Sequence, residues 1–157
     1  MLFDVNSLFS GAIASDGTRT AQAITATAVS TNIMDTRQPG GTPALANLGL
    51  SGVPVYLIVV VSQAFNLLTS LTTTLESSAN TSMTSSTVHA TTTTLLAALT
   101  AGATVLRIPL PVDNYQRYIG VRYTVTGTNP GQGSVFAFLT TDPNVNPIYA
   151  SGFTIDA

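Results

Sequence analysis

RYIGVRYTVTG, residues 117–127, is the stretch on which the fold turns. Aromatic and β-branched residues alternate through Tyr118, Ile119, Val121, Tyr123 and Val125, and Gly127 closes the run. Such residues suit a pleated, half-buried surface and lose rotamer freedom in a helix. The segment therefore predicts a strand. TGTNPGQGS then turns the chain, and SVFAFLTTD (Ser134 to Asp142) predicts the returning partner of a hairpin.

Outward from there, the same signals recur. TVLRIPLP (Thr104 to Pro111) predicts a strand that its prolines confine to a sheet edge. TVHATTTT (Thr87 to Thr94) predicts another, and LLAALTAGA (Leu95 to Ala103) either a helical turn or a connection ended by Gly102. LLTSLTTTLES (Leu67 to Ser77) puts Leu67, Leu71 and Leu75 on one face. VPVYLIVVVSQ (Val53 to Gln63) is apolar almost throughout, as a central strand covered on both sides should be. QAITATAV (Gln22 to Val29) predicts a first strand, residues 30–52 a long loop, and NPIYASGFTI a last short strand. Short strands, frequent turns and no long helix predict an all-β, single-domain, jelly-roll-like β-sandwich over residues 22–157. An extended N-terminal arm is expected over residues 1–21.

Composition narrows the function. Charged residues are only 8% of the 157, and no lysine is present; a typical soluble domain carries roughly 25%. Lysine is depleted from stable interfaces and arginine enriched in them. A surface of hydroxyls, amides and apolar groups tends to associate with partners. A hydroxyl-rich solvent face is the plainer alternative. A formal net charge of −2 with scattered arginines argues against nucleic acid. The longest apolar run, Val53 to Val61, is about half a membrane span, so no membrane partner is expected. Met1 to Gly17 lacks a basic leader and carries Asp4, against a signal peptide.

No reactive constellation stands out, so no catalytic, cofactor-binding or metal-ligating residue is expected and no cofactor. Cysteine is absent and His89 is the single histidine, leaving at most one histidine for a triad or a zinc site. Its neighbours in TVHATTTT include no carboxylate. His89 is accordingly expected to be structural, with His89→Ala costing about 1 kcal/mol or less. Asp4, Asp16, Asp35, Glu76, Asp113, Asp142 and Asp156 are spread singly, several beside turn residues where aspartate caps backbone amides. GTNPGQG (Gly127 to Gly133) joins two strands and has no lysine, unlike a phosphate-binding loop. A carbohydrate-binding module would want aromatic platforms, and the chain has no tryptophan.

The residues left as candidates are for contact. Phe3, Val5, Leu8 and Phe9 give the N-terminal arm an apolar character that docking on a neighbour would cover. Deleting residues 1–15 is then expected to weaken assembly and leave the sandwich folded. Arg117 and Arg122, five apart on one strand, face opposite ways. At least one points outward, as an interface anchor or a solvated side chain, or is buried against a carboxylate.

Ile108 to Asp142, IPLPVDNYQRYIGVRYTVTGTNPGQGSVFAFLTTD, resembles the C-terminal half of the phage capsid cement proteins typified by that of a Bordetella phage. The shared features are an Arg-Tyr start, an alternating strand with Tyr-Thr-Val, a Gly-Thr-x-Pro turn and a return strand closing on Asp. SLTTTLESSANTSM (Ser70 to Met83) is similar to the family's second recurrent stretch. LFDVNSLFS with QAITATAVSTNIMD is similar to its opening arm and first strand. The resemblance implies a non-enzymatic jelly-roll subunit on the outer surface of the capsid in the virion. Its implied partners are the major capsid protein and its own copies, as a homodimer or homotrimer. Another virion component, of a head fibre or tail, is the structural alternative.

Overall fold

The computed structural model describes residues 7–36 and 53–142. The first part of the chain forms six short strands: β1 (Leu8–Ser10), β2 (Ala12–Ile13), β3 (Arg19–Thr20), β4 (Gln22–Ala23), β5 (Ala28–Val29) and β6 (Met34–Asp35). Six longer ones follow: β7 (Tyr56–Gln63), β8 (Leu68–Ser78), β9 (Thr87–Leu95), β10 (Thr104–Pro109), β11 (Tyr118–Gly127) and β12 (Ser134–Thr140). A 3-10 turn, Leu96–Ala98, separates β9 from β10.

In one sheet β1 and β4 share an edge of β12, followed by β7 and β10; in the other β5 and β6 share an edge of β11, followed by β8 and β9. Every ladder is antiparallel. From β4 onward each connection changes sheet, except those from β5 to β6 and from β8 to β9. That ordering is a jelly roll, so the expected all-β sandwich is the fold observed.

Period-two alternation explains how the sheets face each other. Leu71 and Leu75 from β8, and Ile119, Val121 and Tyr123 from β11, meet Leu57, Val59 and Val61 of β7 and Val135 and Ala137 of β12 in one core. β7 is buried on its other face as well, where Ile58 packs with Leu8 and Phe138 beneath Ile13 and Phe136. Its unbroken apolar run is the sequence of a strand covered twice. β10 lies at a sheet edge as its prolines require.

Five expectations need correction. Residues 30–52 are not loop throughout: β6 lies within them and pairs Asp35 with Tyr118 and Met34 with Ile119 of β11. β11 and β12 are not a hairpin: β11 pairs with β8, and β12 with β7 in the other sheet. Both strands are strong, but the loop between them spans the roughly 10 Å gap between sheets, anchored where Gly131 and Gln132 N–H groups donate to Asn66 Oδ1. QAITATAV is not one strand. It breaks at a fully buried Ile24 into β4 and β5, which belong to opposite sheets. Leu67 is not on the face of Leu71: a tight turn, closed by Leu68 N–H donating to Asn66 O, holds it at φ 68° and 61% exposed. Leu68 is buried instead. Finally, the arm reading of residues 1–21 does not hold for β1, which pairs Leu8 with Phe138 and Ser10 with Ala137. The expected last strand at NPIYASGFTI lies outside the described residues.

Candidate functional site

The most organised cluster of polar groups gathers around His89. In the β8–β9 ladder Glu76 faces Val88 and Leu75 faces Ala90, so His89 is an extra residue in β9. Such a bulge re-aims a side chain. Here it turns the imidazole inward, fully buried, with its ring centre 4.1 Å from that of Tyr115. Nδ1 lies 2.7 Å from Asp113 Oδ2 and Nε2 2.7 Å from Ser77 Oγ. An ionised carboxylate only accepts, so Nδ1 carries a proton; in the neutral ring Nε2 then accepts from the Ser77 hydroxyl.

Asp113 is half-exposed, and the hydrogen bond from His89, helped by the Asn114 N–H, holds its carboxyl below the usual carboxylate range. Tyr115 donates its hydroxyl to Pro111 O, and burial, with the Asp113 charge beside it, pushes its phenol up to about 12.

Ser77, His89 and Asp113 thus stand in the order of a hydrolase triad. Ser77, however, is fully buried, and its Oγ also accepts the Gln116 N–H at 3.0 Å. A substrate carbonyl could reach that oxygen only after the 110–117 segment had moved away. As built, the cluster ties β8, β9 and that segment together. Sequence reasoning missed it because Asp113 approaches from 24 residues away. It also undersized the histidine's structural weight. His89→Ala would open a cavity and strip the Ser77 hydroxyl of its acceptor, so we expect a loss of about 2–4 kcal/mol rather than 1. Urea denaturation of the variant measures it.

The second cluster surrounds Arg122. Its Nε donates to both oxygens of Glu76, at 3.0 and 2.9 Å, and an Nη donates to Met83 O at 2.7 Å. Glu76 also accepts from Thr74 and Ser86 hydroxyls. Burial pushes the Glu76 carboxyl up, but the hydrogen bonds from Ser86, Thr74 and Arg122, with the charge of Arg122, outweigh it and leave it below its ordinary value. Arg122 is therefore the arginine held against a buried carboxylate. Arg117, by contrast, makes a two-pronged pair with Asp35 at the surface, at 2.9 and 2.7 Å, with its guanidinium over the Tyr118 ring. It remains a third exposed and open to contact.

Of the apolar candidates, Leu8 and Phe9 belong to this chain's own cores, 5% and 1% exposed. They are not free to dock on a neighbour. Phe3 and Val5 lie outside the described residues. Hydroxyls do cover much of the surface: Thr91 and Thr93 of β9 are exposed, and Thr93 shares a hydrogen bond with Thr72 of β8.

Among curated proteins none matches the chain. A family match, in contrast, covers residues 18–139, well over half of the sequence and nearly all of the sandwich. The two clusters and the strands carrying them all fall within that span, and the chain belongs to the Bbp16 family, named after a Bordetella phage protein.

Proposed function

We propose that this chain is a capsid cement protein, bound to the outside of a phage head and clamping neighbouring major capsid protein subunits together. Membership of a phage-derived family and the all-β sandwich fit a phage structural protein associated with the virion, and the match over residues 18–139 carries the reading. The chemistry of the chain supports the finer role. With 8% charged residues and no lysine, its surface suits contact with protein more than open solvent. Self-association as a homodimer or homotrimer would let one unit engage several shell subunits. Each contact can then be modest, because the first raises the effective concentration of the next.

The reading is non-enzymatic. A hydrolase is the second reading that a specific observation favours, namely Ser77, His89 and Asp113 in triad order. The burial of Ser77 weighs against it. Purified protein added to heads that lack it should co-sediment with them and raise the temperature at which they release DNA. Failure to bind would refute the cement role, and labelling of Ser77 by a fluorophosphonate probe in the folded protein would favour the hydrolase.

A further inference from the structure

A long strand at the edge of a sheet offers a row of unpaired backbone groups, and proteins ordinarily blunt such edges with charges, prolines or short strands. Three edges of this sandwich are blunted in that way. β10 carries exposed Arg107 and Pro109, and the opposite edges are formed by the two- and three-residue strands β1, β4, β5 and β6. β9 is different. It is the outermost strand of its sheet, nine residues long. Its first part is covered by the 110–117 segment, through Gln116 Nε2 donating to Thr87 Oγ1 and through the His89–Asp113 contact. From Ala90 to Leu95 no described residue bonds to its outer side. That stretch, ATTTTL, has no charge, proline or glycine, and its register against Ser70 to Leu75 is unbroken.

We infer that the edge Ala90–Leu95 of β9, unpaired among the described residues, pairs antiparallel with the same edge of a second copy, joining two sandwiches through one continuous sheet. The edge complements itself. About a twofold axis through Thr93, the outward-facing Thr93 meets its own mate, and Thr91 of one copy meets Leu95 of the other. β-Branched residues pair well across strands. Leu95, 64% exposed, gains cover. The segment is neutral and the chain's net charge is only −2, so two copies approach with little repulsion. The inference deepens the self-association named in the cement reading and rests on it for the dimer's purpose, but the pairing is measured with no shell present.

The chain has no cysteine, which makes single cysteines clean probes. Thr93→Cys should oxidise with copper-phenanthroline to a disulfide-linked dimer, because facing residues in an antiparallel pair bring Cβ atoms within disulfide reach. Thr124→Cys, on β11 in the interior of the same sheet, should stay uncrosslinked. The double variant Thr91→Lys, Thr93→Lys places like charges across the twofold. In sedimentation it should dissociate at concentrations about tenfold or more above wild type, with an unchanged circular dichroism spectrum. The pairing is overturned by a wild type that sediments as a monomer at micromolar concentration, by crosslinking at Thr124 in place of Thr93, or by a lysine variant that dimerises like wild type. A monomer whose binding to heads fails in the lysine variant also overturns it, since the edge then pairs with a strand of the shell. A dimer that ignores heads leaves the edge assigned and refutes the cement role alone.

Discussion

Deleting residues 1–15 will abolish cooperative folding. β1 is held on every side. Phe9 fills the main core at 1% exposure, and Leu8 packs with Ile58 and Phe138 on the outer face of the first sheet. Ser10 Oγ shares a 2.6 Å hydrogen bond with the hydroxyl of Tyr123, whose phenol burial pushes far above its ordinary value. Asn32 locks the strand from the side, its side chain donating to Leu8 O and Gly11 O and its backbone N–H donating to Phe9 O. Gly11 permits the exit at φ 114°, where a Cβ would come within 2.8 Å of Phe136 and of Thr20 O. Phe9→Ala alone should cost about 3–5 kcal/mol through lost transfer energy and a cavity. The deletion removes Leu8 and the Tyr123 partner as well, against a total stability of about 5–15 kcal/mol for a domain. A thermal melt followed by circular dichroism checks both. A truncated protein melting like wild type would return β1 to the status of an external arm.

Arg122→Ala should be nearly as damaging, by about 3–5 kcal/mol, because it strands the Glu76 carboxylate inside the protein. Glu76 keeps its bonds from Thr74 and Ser86 but loses its only cationic partner among the described contacts. The loop carrying buried Met83 loses its tie as well. Replacing both Arg122 and Glu76 with leucine should recover most of the loss, since the buried charge goes with its partner. The same group sets the acid limit. Its carboxyl titrates lower in the folded protein than its ordinary 4.5, so its contribution is complete above that value and is lost as pH falls through the lower folded one. Asp113 acts in the same direction from an ordinary 3.8. Denaturation midpoints should therefore be flat from neutral pH to about pH 5 and fall below it. In Arg122→Ala the acid-dependent part should shrink.

Strand identity was legible because it is local. Alternation at Tyr118–Gly127, an unbroken apolar run at Tyr56–Gln63 and prolines in Thr104–Pro109 each declare their own environment. Sheet membership was not, because which partner a strand takes depends on loops that cross between sheets. Thr128 to Gly133 reads equally as a hairpin turn and as a crossing. The arm was misjudged for a related reason: three residues are too few to show a period, yet enough to seat Phe9 in the core. The His89 cluster was hidden twice over. Its aspartate is distant in sequence, and a one-residue bulge, which leaves no trace in composition, decides that the ring points inward.

A cement on the head surface must be present in purified virions in proportion to the shell it binds. Quantitative mass spectrometry of gradient-purified particles should find it in a fixed, small-integer ratio to the major capsid protein. Its absence from the particle, or a copy number of only a few per virion as for a tail or fibre component, would rule out the cement role.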